Sequence, residues 1–243
     1  MKSKVRSREF RGPRRDAAVL PRKIADFPKR VATPTGPVRV VWVDDSLLVV
    51  DKPAGLSSQS EEDDAPDLVA TLAAFDRQVR PIHRLDRPAS GLVLFGRSQV
   101  AAAKLSEALQ QGEIGRTYLA VASGMPATPQ ATWDRELDGE HAVTHVTWLS
   151  SADGLSTARL QLDTGRFHQI RRHASAAGHA LLGDRRYGGD AAGWWPRLAL
   201  HACTLEFIHP VTGAALRFHA PLPPDLRPLW AQAGGPDLGD ENA

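Results

Sequence analysis

Pro81-Ile82-His83-Arg84-Leu85-Asp86-Arg87-Pro88-Ala89-Ser90-Gly91, followed by Leu92-Val93-Leu94-Phe95, is the stretch whose reading decides the fold. Pro81, Pro88 and Gly91 punctuate its first part, which reads as a loop. The apolar run behind it reads as a buried strand. Asp86 sits between Arg84 and Arg87. Flanking cations attract phosphate and keep such an acid ionised, so the carboxylate is placed to act on an anionic partner. The same residues would also make an ordinary surface ion-pair patch, and their chemistry alone does not separate the two readings.

Upstream, Val38–Val43 and Leu47–Lys52 read as strands, with a turn at Asp44-Asp45-Ser46 between them and a stop at Pro53-Ala54-Gly55. An acidic surface loop covers 61–64. Residues 66–79 read as a helix with Pro66 near its first turn. Downstream, Ser98 caps a helix running to Gln111 and ended by Gly112. Residues 115–122 are strand-like. Residues 141–149 and 155–162 alternate with period two, as half-exposed antiparallel strands do. A helix over 168–177, strands over 200–208 and 214–219, and a last helix over 223–232 complete the series. The order is not a regular βαβα alternation. It predicts an α+β chain with a large mixed, mostly antiparallel sheet.

Of the 243 residues, 42% are hydrophobic, enough for a proper core, and the net charge is only +2. That charge is uneven. Residues 1–30 hold eleven Lys or Arg against three acids, so the rest of the chain is net acidic. A basic arm on a mildly acidic body points to a polyanion partner or to a solubilising terminus. The prolines in residues 1–36 predict an extended or disordered arm, and the Gly-rich, acidic tail from Gly234 reads the same way. A catalytic domain is expected over 37–233. The single Cys203 cannot form an internal disulfide and reads as a small buried filler in a reducing cytoplasm. No apolar run is long enough for a membrane helix, and no secretory signal is visible.

Thr164-Gly165-Arg166-Phe167-His168-Gln169-Ile170-Arg171-Arg172-His173 is the second dense cluster. It lies where a strand meets a helix, and its arginines form either an anion site or a solvated basic helix. His168 and His173 are five apart, the wrong spacing for two metal ligands on one helical face, so no metal is expected.

Taken together, these segments resemble the RluA-type pseudouridine synthases. His83-Arg84-Leu85-Asp86, then Ser90-Gly91 and an apolar strand, is similar to the family's catalytic signature. Asp44-Asp45 through Gly55 resembles its opening strand pair, and Arg116-Thr117-Tyr118 its basic-x-Tyr motif. Thr164-Gly165-Arg166 with His168-Gln169-Ile170-Arg171 and His173 resembles its second signature, in which Phe167 occupies a variable position. Leu181-Leu182-Gly183-Asp184 through Tyr187-Gly188, and Leu200-His201-Ala202 with Phe207–Gly213, match two more segments. All fall in the family's order. One position departs: the usual Thr before Ser-Gly is Ala89, so a hydroxyl is missing there. Many relatives also carry an S4 RNA-binding domain, for which residues 1–36 are too short and too proline-broken.

The resemblance implies a pseudouridine synthase fold with flanking helices and a central RNA-binding cleft. It implies isomerisation of uridine to pseudouridine in ribosomal or transfer RNA, by a cytoplasmic monomer without cofactor, metal or membrane. Asp86 would be the catalytic carboxylate and Arg166 its paired cation. Tyr118 would stack on the uracil and help remove the C5 proton, with Ile170 as the apolar wall. The target base must be flipped out, and Arg84 would fill its place. Arg87, Lys52 and Arg171 are candidates for RNA contact, with the Arg185-Arg186 pair behind them. Tyr187 reads as structural. Two rivals stay open. One is a catalytically inactive RNA-binding or RNA-chaperone protein on the same fold. The other is a carboxylate hydrolase, which needs a second acid ~5–10 Å from the first; Asp184 is its candidate.

Overall fold

Leu47-Leu48-Val49-Val50 and Leu92-Val93-Leu94-Phe95 are apolar at every position, so both runs require cover on both faces. The computed structural model describes residues 27–59, 67–189 and 193–238, and it buries all eight of these side chains in the middle of one sheet. In chain order the elements are β1 (Arg30–Val31), β2 (Val38–Val43), β3 (Leu47–Lys52), α1 (Leu68–Ala73), β4 (Arg80–Pro81), β5 (Ser90–Gly96), α2 (Gln99–Gln110) and β6 (Gly115–Ser123). They continue with β7 (Gln130–Asp134), β8 (Val143–Ala152), β9 (Leu155–Leu162), α3 (Gln169–Ala176), β10 (Leu200–Ile208), β11 (Ala215–His219) and α4 (Arg227–Gln232).

The strands form a single mixed sheet in the order β1-β2-β3-β5-β10-β6-β9-β8-β7, with β4 added to β5 and β11 added to β10. β5 and β10 run parallel, and the other pairs among the named strands are antiparallel. The parallel pair meets only where His201 faces Ser90 and Ala202 faces Gly91, and then separates. β11 takes the freed side of β10, and β4 that of β5. The loop carrying Asp86 joins β4 to β5 and so enters the sheet at this parting.

Gly91 makes that junction possible. Its φ is +118°, and a Cβ there would lie 2.3 Å from the Ala202 carbonyl oxygen. Only glycine allows both the backbone conformation and the approach. Gly91→Ala is expected to cost about 3 kcal/mol, read as a lowered urea midpoint. A midpoint equal to wild type would show that the parting can move aside.

Period-two alternation separates the two faces. Leu48, Val50, Val93 and Phe95 pack with Leu68 and Leu72 of α1 and with Ile170 and Ala174 of α3. Leu47, Val49, Leu92 and Leu94 pack with Leu105 of α2 and Phe207. Beside them on β6, Leu119 and Val121 pack with Cys203, Leu229 and Trp230. Each such fully buried side chain contributes about 1.5–3 kcal/mol.

Several expectations shift. The helix predicted over 66–79 is only Leu68–Ala73, capped by the Asp67 carboxylate on the Ala70 N–H. Residues after Ala74 turn instead into β4, which the proline had hidden. The strand predicted from 141 begins at Val143 and runs on to Ala152, because Asp153 and Gly154, both at positive φ, make the two-residue hairpin to β9. Ser98 caps α2 as predicted. The last helix starts at Arg227 rather than 223, after a turn in which Leu226 N–H donates to Pro223 O. Residues 27–36 are not a free arm: β1 pairs with β2, and Val31 is buried in the core. The tail folds back as far as Leu238, with Trp230 Nε1 donating to Pro236 O. The expectations for 1–26, the acidic loop 61–64, Pro66 and 239–243 lie outside the described residues.

Candidate active site

The parting of β5 and β10 opens into a cavity of about 650 Å³. Asp86, Tyr118, Ile170, Arg84, His168 and Arg171 all line it. These residues come from the β4–β5 loop, from β6 and from the start of α3, so distant segments converge at one place.

The loop holding Asp86 is fixed from both sides. The Ser58 hydroxyl donates to Leu85 O at 2.8 Å and accepts the Leu85 N–H at 3.0 Å. Ala89 N–H closes the turn onto Asp86 O at 3.0 Å. Lys52 Nζ donates to Ala89 O at 2.6 Å and Leu56 O at 2.8 Å, with Pro53 O at 3.0 Å. Ala89 is itself buried. The missing hydroxyl therefore leaves a loop closed by backbone and by Lys52.

Lys52 is thus not available to a phosphate. It is fully buried, and its ammonium is enclosed by carbonyl oxygens of the two loops. Burial pulls its pKa down to about 7, against the pull of Asp86. Lys52→Met keeps the apolar stem and leaves those carbonyls without a donor. It is expected to cost about 2–3 kcal/mol in urea denaturation. A loss below ~0.5 kcal/mol would show that the carbonyls do not need the ammonium.

The cation paired with Asp86 is Arg171, not Arg166. Arg171 NH1 donates to Asp86 Oδ2 at 3.1 Å. Its Nε and NH2 grip Asp184 in a fork at 2.9 and 2.8 Å. Asp184 is 1% exposed and also accepts the N–H groups of Arg186 and Tyr187. Burial alone would raise the Asp184 pKa, but the fork and the two amides outweigh it and hold the carboxyl below its ordinary range. Arg166 is 38% exposed, pairs with Glu140, and donates from Nε to His141 O at 3.1 Å. The reason lies in local conformation. Arg166 precedes α3, in the turn held by Gln169, whose Oε1 accepts from Thr164 Oγ1 and Arg166 N–H. Arg171 is on the buried face of α3 beside Ile170 and Ala174. Asp184 is thus buried and engaged on both oxygens by Arg171 and two backbone amides, the setting of a structural counter-ion rather than of the second acid the hydrolase reading needs.

Tyr118 is 5% exposed and lies on β6. Burial raises its pKa, with Arg116 opposing, so its phenol keeps its proton at neutral pH and is not a standing base. Ile170 serves both as core and as cavity wall. Arg84 is exposed at the cavity edge. Arg87 does not line the cavity: its Nε donates to Gly55 O, and its own carbonyl accepts the Gly55 N–H, tying two loops together.

His168 was read as a poor metal ligand and as part of the second signature, without a role of its own, yet it lines the cavity beside Asp86. Its backbone is left-handed at φ +53°. Its Nδ1 is 3.0 Å from Tyr187 Oη, and its Nε2 is 3.7 Å from Asp86 Oδ1. Burial lowers its pKa, with Asp86 opposing. The signal was its position directly before the Gln-Ile-Arg of α3. His173 has a structural place instead, between Thr144 Oγ1 and Arg135 O.

The sequence profile of the family described as RNA pseudouridylate synthase matches residues 46–176. The chain is 34% identical over 217 residues to an uncharacterized RNA pseudouridine synthase, YhcT, of Bacillus subtilis, covering 80% of this chain and 72% of that one. It is 33% identical over 223 residues to the ribosomal large subunit pseudouridine synthase D of Vibrio cholerae, covering 78% of this chain and 69% of that one. In fold it is similar to human RNA pseudouridylate synthase domain containing 4, with a TM-score of 0.68 at 20% identity, over 80% of this chain and 92% of that one.

Proposed function

The chain belongs to the RNA pseudouridylate synthase family, as the RluA-type resemblance of its motifs implied, and on that premise we propose that Asp86 is its catalytic carboxylate, acting on a uridine of ribosomal RNA. The enzyme is an isomerase acting on RNA. In its reaction the C1′–N1 bond breaks, the uracil turns, C5 joins C1′, C5 loses its proton and N1 gains one. Nothing is hydrolysed, oxidised or reduced.

The observation that carries the assignment is the Asp86–Arg171–Asp184 array at the cavity. Asp86 has a permanent cation on one oxygen and its other oxygen toward His168, so it is oriented as a nucleophile or as a stabiliser of an electron-poor sugar. Uracil enters only if flipped out of the stack. Tyr118 and Ile170 then cover the base, and Arg84 at the edge is placed to take the vacated position.

Ribosomal RNA is favoured over transfer RNA by the name of the Vibrio cholerae relative. Among the described residues no helix is long and apolar enough to cross a membrane, and the buried lone Cys203 fits the reducing cytoplasm where RNA is modified. Mapping pseudouridines in a strain lacking the gene against its parent tests the target. Loss of sites in ribosomal RNA is expected; loss confined to transfer RNA would overturn this choice of substrate.

A further inference from the structure

Phe167, at the variable position of the second signature, is 48% exposed although it lines the cavity. Its ring lies flat on His168, with centroids 3.8 Å apart and 21° between planes. His168 is in turn fixed by Tyr187 and faces Asp86. Phe167 therefore offers a flat apolar face one ring away from the carboxylate assigned to the chemistry. Two guanidinium groups lie over the ring, with Arg84 Cζ at 5.5 Å and Arg186 Cζ at 5.9 Å from its centroid, so an incoming base displaces them toward its own phosphates and neighbours. Neither has an ion-pair partner among the described residues.

We propose that Phe167 is a stacking platform for the nucleobase next to the flipped uridine, with Arg186 neutralising the phosphate beside it and Arg84 left to the vacated position. The inference rests on the function proposed above and adds a substrate-positioning residue to it. Flipping one base deprives its neighbour of a stacking partner. An exposed ring held near the reacting carboxylate replaces that partner, and the His168–Phe167 spacing already matches the separation of stacked rings. Stacking accepts any base, while the guanidinium of Arg186, without an ion-pair partner among the described residues, suits a backbone with one charge per nucleotide. A protein segment docking here would instead need acidic side chains to meet Arg84 and Arg186.

The test uses the full chain and an RNA stem-loop spanning the mapped pseudouridine. Phe167→Ala is expected to lower kcat/KM about tenfold to hundredfold, mainly through KM, and Phe167→Tyr to restore it. The same stem-loop is then made with an abasic nucleotide on the 5′ or the 3′ side of the target. One of these substrates should lose as much with wild type, and with it Phe167→Ala should cause no further loss. Equal losses from Phe167→Ala on intact and abasic substrates would overturn the platform. Phe167→Leu, which keeps apolar volume without a π-face, repeats the comparison if the alanine variant unfolds. Binding of the same oligonucleotides to Asp86→Asn separates the two claims. A platform effect on binding without any pseudouridine formed by wild type would sink the function alone. Pseudouridine formation indifferent to Phe167 would sink the platform alone.

Discussion

Asp86→Asn is expected to reduce pseudouridine formation by roughly 10⁴-fold or more while leaving RNA affinity within a few-fold of wild type. Asparagine has the size of the carboxylate and can still meet Arg171, but it is neither charged nor an effective nucleophile. The fold should tolerate the change. Asp86 keeps 18% side-chain exposure, and Arg171 retains its two bonds to Asp184. Product is read by primer extension after carbodiimide treatment, affinity by filter binding, and folding by thermal denaturation. Activity within about tenfold of wild type would remove Asp86 from the chemistry.

Removing Arg171 should damage both activity and stability, whereas removing Arg166 should do neither. Arg171→Ala leaves Asp184 buried without a counter-charge, a loss of about 3–5 kcal/mol. It also strips Asp86 of its cation, so activity should fall as far as in Asp86→Asn. Arg171→Lys restores charge but cannot both fork onto Asp184 and reach Asp86, and it should recover stability more than activity. Arg166→Ala removes an exposed pair with Glu140, worth below ~1 kcal/mol. The pH dependence separates these effects further. With Arg171 present the folded-state pKa of Asp184 is depressed, so its stabilisation is full above the ordinary carboxylate pKa of about 3.9 and is lost as pH falls through the folded value. Without Arg171, burial raises the folded pKa, and the penalty is relieved as Asp184 protonates. The gap between wild type and Arg171→Ala in urea denaturation should therefore be widest near neutral pH and narrow toward about pH 4. A gap independent of pH would place its origin elsewhere than Asp184.

Much of this architecture was legible in the residues. The doubly apolar runs of β3 and β5, the period-two alternation of β9 and the Ser98 cap of α2 each report a local requirement. So does Gly91, although the reason for it, the Ala202 backbone at 2.3 Å, belongs to a strand far along the chain. β7 was missed because Gln130–Asp134 is an edge strand without an apolar run, and β4 because its second residue is a proline. In the site, Asp86, Tyr118, Ile170 and Arg84 were named from their motifs and do line one cavity. Lys52 was misread, and Arg166, which also lines the cavity, was given the wrong partner, since charge alone does not say which acid a side chain will meet.

The sequence by itself carried the resemblance to the family, through it the reaction class, and the positions of most central strands along the chain, because motifs, periodicity and caps are local properties that a chain states without its partners. Only the tertiary structure decided which arginine meets Asp86. That choice depends on the left-handed turn at His168, the phase of α3 and the position of Asp184, thirteen residues beyond Arg171 in the chain. Burial decided the fate of Lys52 and the proton on Tyr118 in the same way. A charge is assigned its role by the dielectric and the partners around it, and those exist only once the sheet has parted between β5 and β10.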